Sequence, residues 1–148
     1  MSAETLPPKL ASLVETLRDT DDRNERIQLL IDLSKGFKPV PEDVATRPFP
    51  ETNRVPGCES EAFVWCQPRD DGTLRYHFAV ENPQGISAMA LAAILDRSVN
   101  NLEPADIVAI PPEVIYEIFG KELSMGKSMG LMGIINMVVH SAKSHLKT

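Results

Sequence analysis

The chain has 148 residues, of which 43% are hydrophobic and 24% charged, with a formal net charge of −6 and a pI near 5.0. These values are typical of one soluble globular domain, here residues 1–148. The acidic balance, without clustered Lys and Arg, argues against nucleic-acid binding, and no apolar stretch approaches the ~20 residues that span a bilayer. Residues 1–13 lack a basic region followed by an apolar run, so we expect a cytoplasmic protein without a signal peptide.

Two amphipathic helices are predicted at the start of the chain. The first has an apolar stripe at i, i+3, i+4 and i+7, formed by Leu10, Leu13, Val14 and Leu17. The second begins at a capping box of Asp22 and Glu25 and ends at Gly36. Its inward stripe is predicted to contain Ile27, Leu30, Ile31 and Ser34.

A proline-rich segment, residues 38–56, follows and excludes regular helix, because proline removes a backbone donor. Two strands are predicted after it. Residues 61–67 are rich in β-branched and aromatic side chains, and residues 74–81 alternate between apolar and polar. Asp70-Asp71-Gly72 between them is a strong turn signal, so we expect an antiparallel hairpin.

The second half of the chain is predicted to be helical. Residues 86–97 are apolar almost all round, which indicates a central, buried helix. Short helices are predicted to begin after Pro104 and after Pro111-Pro112, and Ser124 is the predicted N-cap of a long final helix. The final helix has an inward stripe of Leu131, Ile134, Ile135, Val138 and Ala142. The whole is an α+β domain with helices packed on a small antiparallel sheet.

Cys58 is the strongest candidate for a chemically reactive residue. It follows Pro56-Gly57, a bent connection in which glycine is free to adopt positive φ, so we expect its sulfur to project from the fold. Neither a histidine nor a lysine neighbours it in sequence. Because nucleophilic cysteines depend on nearby positive charge, the thiol suits acceptance of an atom from an activating partner better than catalysis of its own. Composition alone leaves an inert, buried cysteine equally open.

The other cysteine and the histidines are interpreted as structural. Cys66 lies inside the first predicted strand, and free cysteine is among the most buried residue types. His77, His140 and His145 do not complete any recognised metal-ligand spacing with the two cysteines, so no metal site is predicted. The glycines Gly126, Gly130 and Gly133 lack the strand–loop–helix context of a nucleotide site. They mark either a close approach of another backbone or a weak first turn of the last helix.

The segment Val55–Ser60 resembles the acceptor-cysteine loop of the SufE-like proteins, in which Val-x-Gly-Cys-x-Ser precedes a strand. Leu102–Val108 and Leu123–Leu131 are similar to two further segments of that family, and the order of motifs matches from about Leu6 to His145. Some positions depart from the family pattern. Phe63 stands where tryptophan is usual, with Trp65 two residues later, and Met125-Gly126-Lys127 replaces Pro-Ser-Arg. Pro83-Gln84 and Met89-Ala90 replace the usual Ser-Asp and Lys-Gly.

The resemblance implies a sulfur relay. SufE-like proteins bind a pyridoxal-phosphate-dependent cysteine desulfurase, and the acceptor thiol, here Cys58, takes the outer sulfur of the partner's persulfide by thiol exchange. The sulfur then passes to an iron–sulfur scaffold, so the chain is expected to be a carrier and activator without a cofactor or independent activity. Gly57, Glu59, Gln84 and Lys127 carry over as residues that shape the loop or contact the partner. The family includes dimers, so monomer and homodimer both stay open.

Two other functions remain open. One is a thiol-based redox protein or sensor that uses Cys58 with Cys66 as the resolving cysteine, which requires an activated Cys58 thiol. The other is a binding module in which the cysteine is incidental.

Overall fold

The computed structural model describes residues 6–146 and shows helices packed on a two-stranded antiparallel sheet, so the predicted α+β class is confirmed. The elements, in chain order, are α1 (Pro8–Arg18), α2 (Arg23–Ser34), β1 (Ala62–Pro68), β2 (Leu74–Val80), α3 (Ile86–Ser98), α4 (Pro104–Ile107), α5 (Val114–Phe119) and α6 (Met125–Lys143). Each predicted element lies within a few residues of its expected bounds.

The sheet is the hairpin that the turn signal predicts. Val64 pairs with Phe78 and Cys66 with Tyr76, and Gly72 in the connecting turn has a φ of 87°. The turn is closed by Asp71, whose Oδ1 accepts hydrogen bonds from the backbone N–H and the hydroxyl of Thr73.

The principal core lies between one face of the hairpin and the helices. Helix α3 is buried over most of its length, as its composition predicts. All five residues of the predicted α6 stripe are buried, and they pack in the same core as Leu74, Tyr76 and Phe78 of β2. The periodicity of the sequence therefore identified the inward faces of these helices correctly.

The proline-rich segment covers the opposite face of the hairpin, which sequence analysis had not assigned to anything. Phe63, Trp65 and Ala79 form a second cluster with Val40, against which Phe49 packs. The ring of Phe49 lies 5.0 Å from that of Trp65 in an edge-on arrangement, which is favourable for aromatic pairs. A turn over residues 42–44, closed by a hydrogen bond from Val44 N–H to Pro41 O, and a 3-10 turn at Glu51–Asn53 interrupt the extended path of this segment.

Helix α2 departs from the prediction. Asp22 caps it as expected, accepting from the backbone N–H groups of Asn24 and Glu25. The stripe predicted to face the core does so only in part: none of the α2 residues is buried, and Ile27 is 44% exposed, but Leu30 packs against the core. Leu30 and Ile31 are only half-buried. The helix packs on α3, and its core contacts come from Leu29, Leu30 and Leu33, so its apolar residues are shared between two faces.

Candidate functional site

Cys58 lies on a short loop between the proline-rich segment and β1, which we call the Cys58 loop (residues 55–61). The loop is closed by a hydrogen bond from Val55 N–H to Ala62 O, 2.9 Å, and by one from Glu61 N–H to Cys58 O, 3.1 Å. Two residues have positive φ, Gly57 at 70° and Glu61 at 54°. The prediction that Gly57 supplies a left-handed turn is therefore confirmed.

The thiol itself does not project from the fold, and this corrects the sequence-based expectation. Cys58 is only 6% exposed, whereas its neighbours Pro56, Gly57 and Glu59 are all exposed. Its side chain turns inward against α6, where a Cβ added to Gly130 would lie 3.3 Å from the sulfur. After Gly57 the chain turns so that the thiol lies between the loop and α6, because apolar surface on α6 is available to cover the sulfur.

The glycines of α6 explain how the loop comes so close. A Cβ at Gly130 would also lie 3.4 Å from the Cα of Cys58, and one at Gly133 would lie 2.8 Å from a methyl group of Val55. At Gly126 a Cβ would meet nothing within 4 Å. Of the two interpretations that the sequence left open, close approach of another backbone is therefore right for Gly130 and Gly133 and not for Gly126.

The Cys58 loop is also attached to the turn that leads into α3. The backbone N–H of Asn82 donates to Ser60 O at 3.2 Å, and its side-chain amide reaches Glu59 O at 3.4 Å. A Cβ at Gly85 would lie 2.9 Å from the Cβ of Ser60, so residue 85 must be small. Sequence analysis missed Asn82 and Gly85, since an Asn-Pro turn signals only a change of direction and not what the turn touches.

The residues expected to shape the loop or contact the partner lie on the Cys58 loop and on two elements beside it. Gly57 and Glu59 belong to the loop and are exposed. Gln84 is exposed in the turn held by Asn82, whose side chain accepts from Gln84 N–H at 3.0 Å. Lys127 is exposed in the first turn of α6, three residues before Gly130, with its N–H donated to the capping hydroxyl of Ser124. These residues thus lie on the Cys58 loop and on the two elements that contact it, and their role stays a prediction.

Cys66 occupies a different environment, on the β1 face that packs toward α6. Burial raises the pKa of the Cys66 thiol, and its interactions with the hydroxyls of Tyr76 and Ser141 partly oppose that rise. The Tyr76 hydroxyl is itself buried and donates to Val138 O at 2.8 Å. A raised pKa leaves less thiolate at neutral pH, so Cys66 is a weak nucleophile.

The two thiols lie far apart along α6. The sulfur of Cys58 faces Gly130, whereas the thiol of Cys66 meets Ser141. These positions are separated by roughly 16 Å along the helix axis, from a rise of about 1.5 Å per residue. A disulfide requires Cα atoms within about 7 Å of each other. Cys66 is therefore badly placed to resolve an oxidised Cys58.

Within residues 6–146, no three His, Cys, Asp or Glu side chains come together in a way that would hold a metal ion. In the same part of the chain, no helix combines the length and apolar content needed to cross a bilayer.

The sequence pattern of the SufE family, described as an Fe-S metabolism associated domain, matches residues 11–142. The chain belongs to the SufE family. An uncharacterized SufE-like protein of Synechocystis is 29% identical over 93% of this chain and 82% of its own length. SufE-like protein 1 of Arabidopsis thaliana, described as chloroplastic/mitochondrial, is 23% identical over 94% of this chain. The match spans only 36% of that longer protein.

The SufE fold is also found in a solved structure. The solution structure of a hypothetical protein from Thermus thermophilus matches with a TM-score of 0.73, over 97% of this chain and 99% of that one, at 22% identity. At this identity the likeness concerns the fold alone. Because the name of the Arabidopsis relative refers to organelles, the cytoplasmic location expected for this SufE-family chain stays a prediction.

Proposed function

We propose that this protein accepts sulfur on Cys58 from the persulfide of a cysteine desulfurase, stimulates that desulfurase, and passes the sulfur on to iron–sulfur cluster assembly. Membership of a family described by Fe–S metabolism supports the general role. The observation that carries the finer proposal is the position of Cys58, which lies outside the strand ladder on a loop flanked by exposed residues. Cys66, held in β1, has no such setting.

The transfer is a thiol exchange without net oxidation. The thiolate of Cys58 attacks the outer sulfur of the donor persulfide, and a new sulfur–sulfur bond forms as the donor's own bond breaks. The donor cysteine leaves as a thiolate and is ready for another turnover, which is why an acceptor stimulates the desulfurase. Pyridoxal phosphate, which generates the persulfide from L-cysteine, belongs to the partner in this proposal.

The burial of Cys58 adds a requirement to this reaction. A cysteine that is only 6% exposed cannot present its sulfur to a persulfide on another protein, so the Cys58 loop must open first. Opening would break the two backbone hydrogen bonds that close the loop, the bond from Glu81 N–H to Glu61 O at 3.1 Å, and the two bonds that Asn82 donates. Gly57 tolerates the change of φ that opening requires. The partner that lifts the loop would thereby supply the activation that the local sequence of Cys58 lacks.

The proposal is tested by incubating the protein with a cysteine desulfurase from the same organism and L-cysteine, followed by intact-protein mass spectrometry. Wild type and Cys66→Ser should gain one sulfur, and Cys58→Ser should gain none and fail to stimulate the desulfurase. Circular dichroism of both variants checks that they fold. A persulfide found on Cys66 alone, or one that forms equally in Cys58→Ser, would overturn the proposal.

A further inference from the structure

A groove beside the start of α3 is lined by Ile27, Leu30 and Ile31 of α2, of which only Leu30 also packs against the core. It has a volume of about 720 Å³ and lies between α2, the first turn of α3 and the α5–α6 connection. Leu30 and Ile31 line it, and Ile27 and Ile86 line it while remaining 44% and 47% exposed. We call it the α2 groove. Large aliphatic side chains exposed together on a concave surface indicate a surface that binds another molecule.

The charge of the α2 groove is opposite to that of the whole protein. Its lining contains four cations and two carboxylates, although the chain has a formal net charge of −6. Of the two carboxylates, Glu122 is paired with Arg23 at 3.2 Å. Arg26 and Lys127 thus contribute to a local excess of positive charge around the apolar wall.

Arg26 has hydrogen-bonding capacity that the rest of residues 6–146 does not use. Its Nε is buried without a hydrogen-bond partner, and its Nη2 reaches Thr20 O only at the long distance of 3.5 Å. A carboxylate is the group that pairs best with a guanidinium. Because Arg26 lines the groove, its positive charge favours an anionic group on whatever occupies it.

We propose that the α2 groove is a docking site for an acidic, amphipathic segment of a partner protein. Apolar side chains of the segment would cover Ile27 and Ile86, and one of its carboxylates would pair with the guanidinium of Arg26. A segment that docks in this way would reach Lys127, which lies in the same groove and one turn from the helix position facing Cys58. The groove shares Lys127 with the residues expected to contact the desulfurase, but binding in it does not require a reactive thiol.

The test uses a fluorescein-labelled peptide of about 16 residues, roughly four helical turns, with leucines on one face and glutamates beside them. Its control is the same peptide with lysine in place of each glutamate. Fluorescence anisotropy measures binding to the full chain, and amide chemical shifts of the ¹⁵N-labelled protein locate it. The acidic peptide should bind at least about tenfold more tightly than the basic one.

Variants distinguish binding in the groove from nonspecific hydrophobic binding. Ile27→Ser and Arg26→Gln should each weaken the acidic peptide several-fold, whereas Leu146→Ser, which removes an equally exposed aliphatic side chain outside the groove, should not. Cys58→Ser should bind like wild type, so the result does not depend on the proposed sulfur transfer. Equal binding of the two peptides, absence of binding, or shifts outside the groove would overturn the proposal. So would self-association that Ile27→Ser abolishes, since it would assign the groove to a second copy.

Discussion

The sulfur of Cys58 and the Cα of Gly130 are packed so closely that no side chain fits between them. A Cβ on residue 130 would lie 3.3 Å from the sulfur and 3.4 Å from the Cα of Cys58. These two residues are distant in sequence, yet their contact determines whether the thiol is covered. The accessibility of Cys58 is therefore controlled by α6 as much as by the loop that carries the cysteine.

Gly130→Ala should push the Cys58 loop outward by a few tenths of an ångström and make the thiol more reactive. On a Cys66→Ser background, alkylation by iodoacetamide should be faster in Gly130→Ala than in the parent. The matched control is Gly126→Ala on the same helix, where a Cβ meets nothing within 4 Å. That control should leave alkylation unchanged and stabilise the fold by less than the ~1 kcal/mol typical of a helix interior, because Gly126 lies in the first turn of α6. Equal alkylation rates in the two variants would show that the loop does not rest on Gly130.

Cys66 should be alkylated slowly at neutral pH, since burial raises the pKa of its thiol. Ser141→Ala removes one of the hydroxyls that lower this pKa, so alkylation of Cys66 on a Cys58→Ser background should slow further. Ser144→Ala, three residues on, removes an exposed hydroxyl that is bonded only to Ser141 O. It should have no effect, and a rate that rises in Ser141→Ala would contradict the assigned interaction.

Tyr76→Phe should destabilise the protein by about 1–2 kcal/mol, because it removes a buried hydrogen bond to Val138 O. Tyr76 is fully buried between the hairpin and α6, so no water replaces the lost hydroxyl. Tyr116→Phe is the control, since Tyr116 is only partly buried and its hydroxyl forms no hydrogen bond within residues 6–146. Urea unfolding measures the free energy of unfolding of both variants. Equal losses in the two would contradict a stabilising hydrogen bond from the Tyr76 hydroxyl.

His77 should make stability depend on pH. Partial burial lowers the pKa of His77 from its ordinary value of 6.5, and the charge of Arg75 lowers it further. The unfolded chain therefore binds a proton at a higher pH than the folded chain does. Stability from this group is fully present above about pH 6.5 and is lost as the pH falls below it towards the folded pKa.

Urea unfolding between about pH 5 and 7.5 should accordingly show a slope that His77→Gln reduces. Arg75→Gln should reduce it in part, because it removes the second cause of the shift while leaving the histidine in place. An unchanged slope in His77→Gln would mean that other groups account for the pH dependence.

How far the sequence predicted this structure depends on how local each feature is. The Asp22 and Ser124 caps, the hairpin turn and the stripe of α6 were all predicted, because each depends on residues within a few positions of one another. The α2 stripe was right only at Leu30, because an amphipathic pattern identifies an apolar face without specifying what covers it. Leu29 and Leu33 supply the other core contacts of α2, and Ile27 and Ile31 line a groove instead.

The sequence by itself determined the order of elements, the α+β class and the cysteine that follows a Pro-Gly turn, since propensity, capping and turn chemistry are set by near neighbours. Only the tertiary structure decided that Cys58 is covered, that Cys66 is held apart from it, and that the proline-rich segment protects the second face of the hairpin. Each of these depends on which surfaces meet across long stretches of chain. The contact of Cys58 with Gly130 is the clearest case, because it exists only when α6 packs beneath the loop.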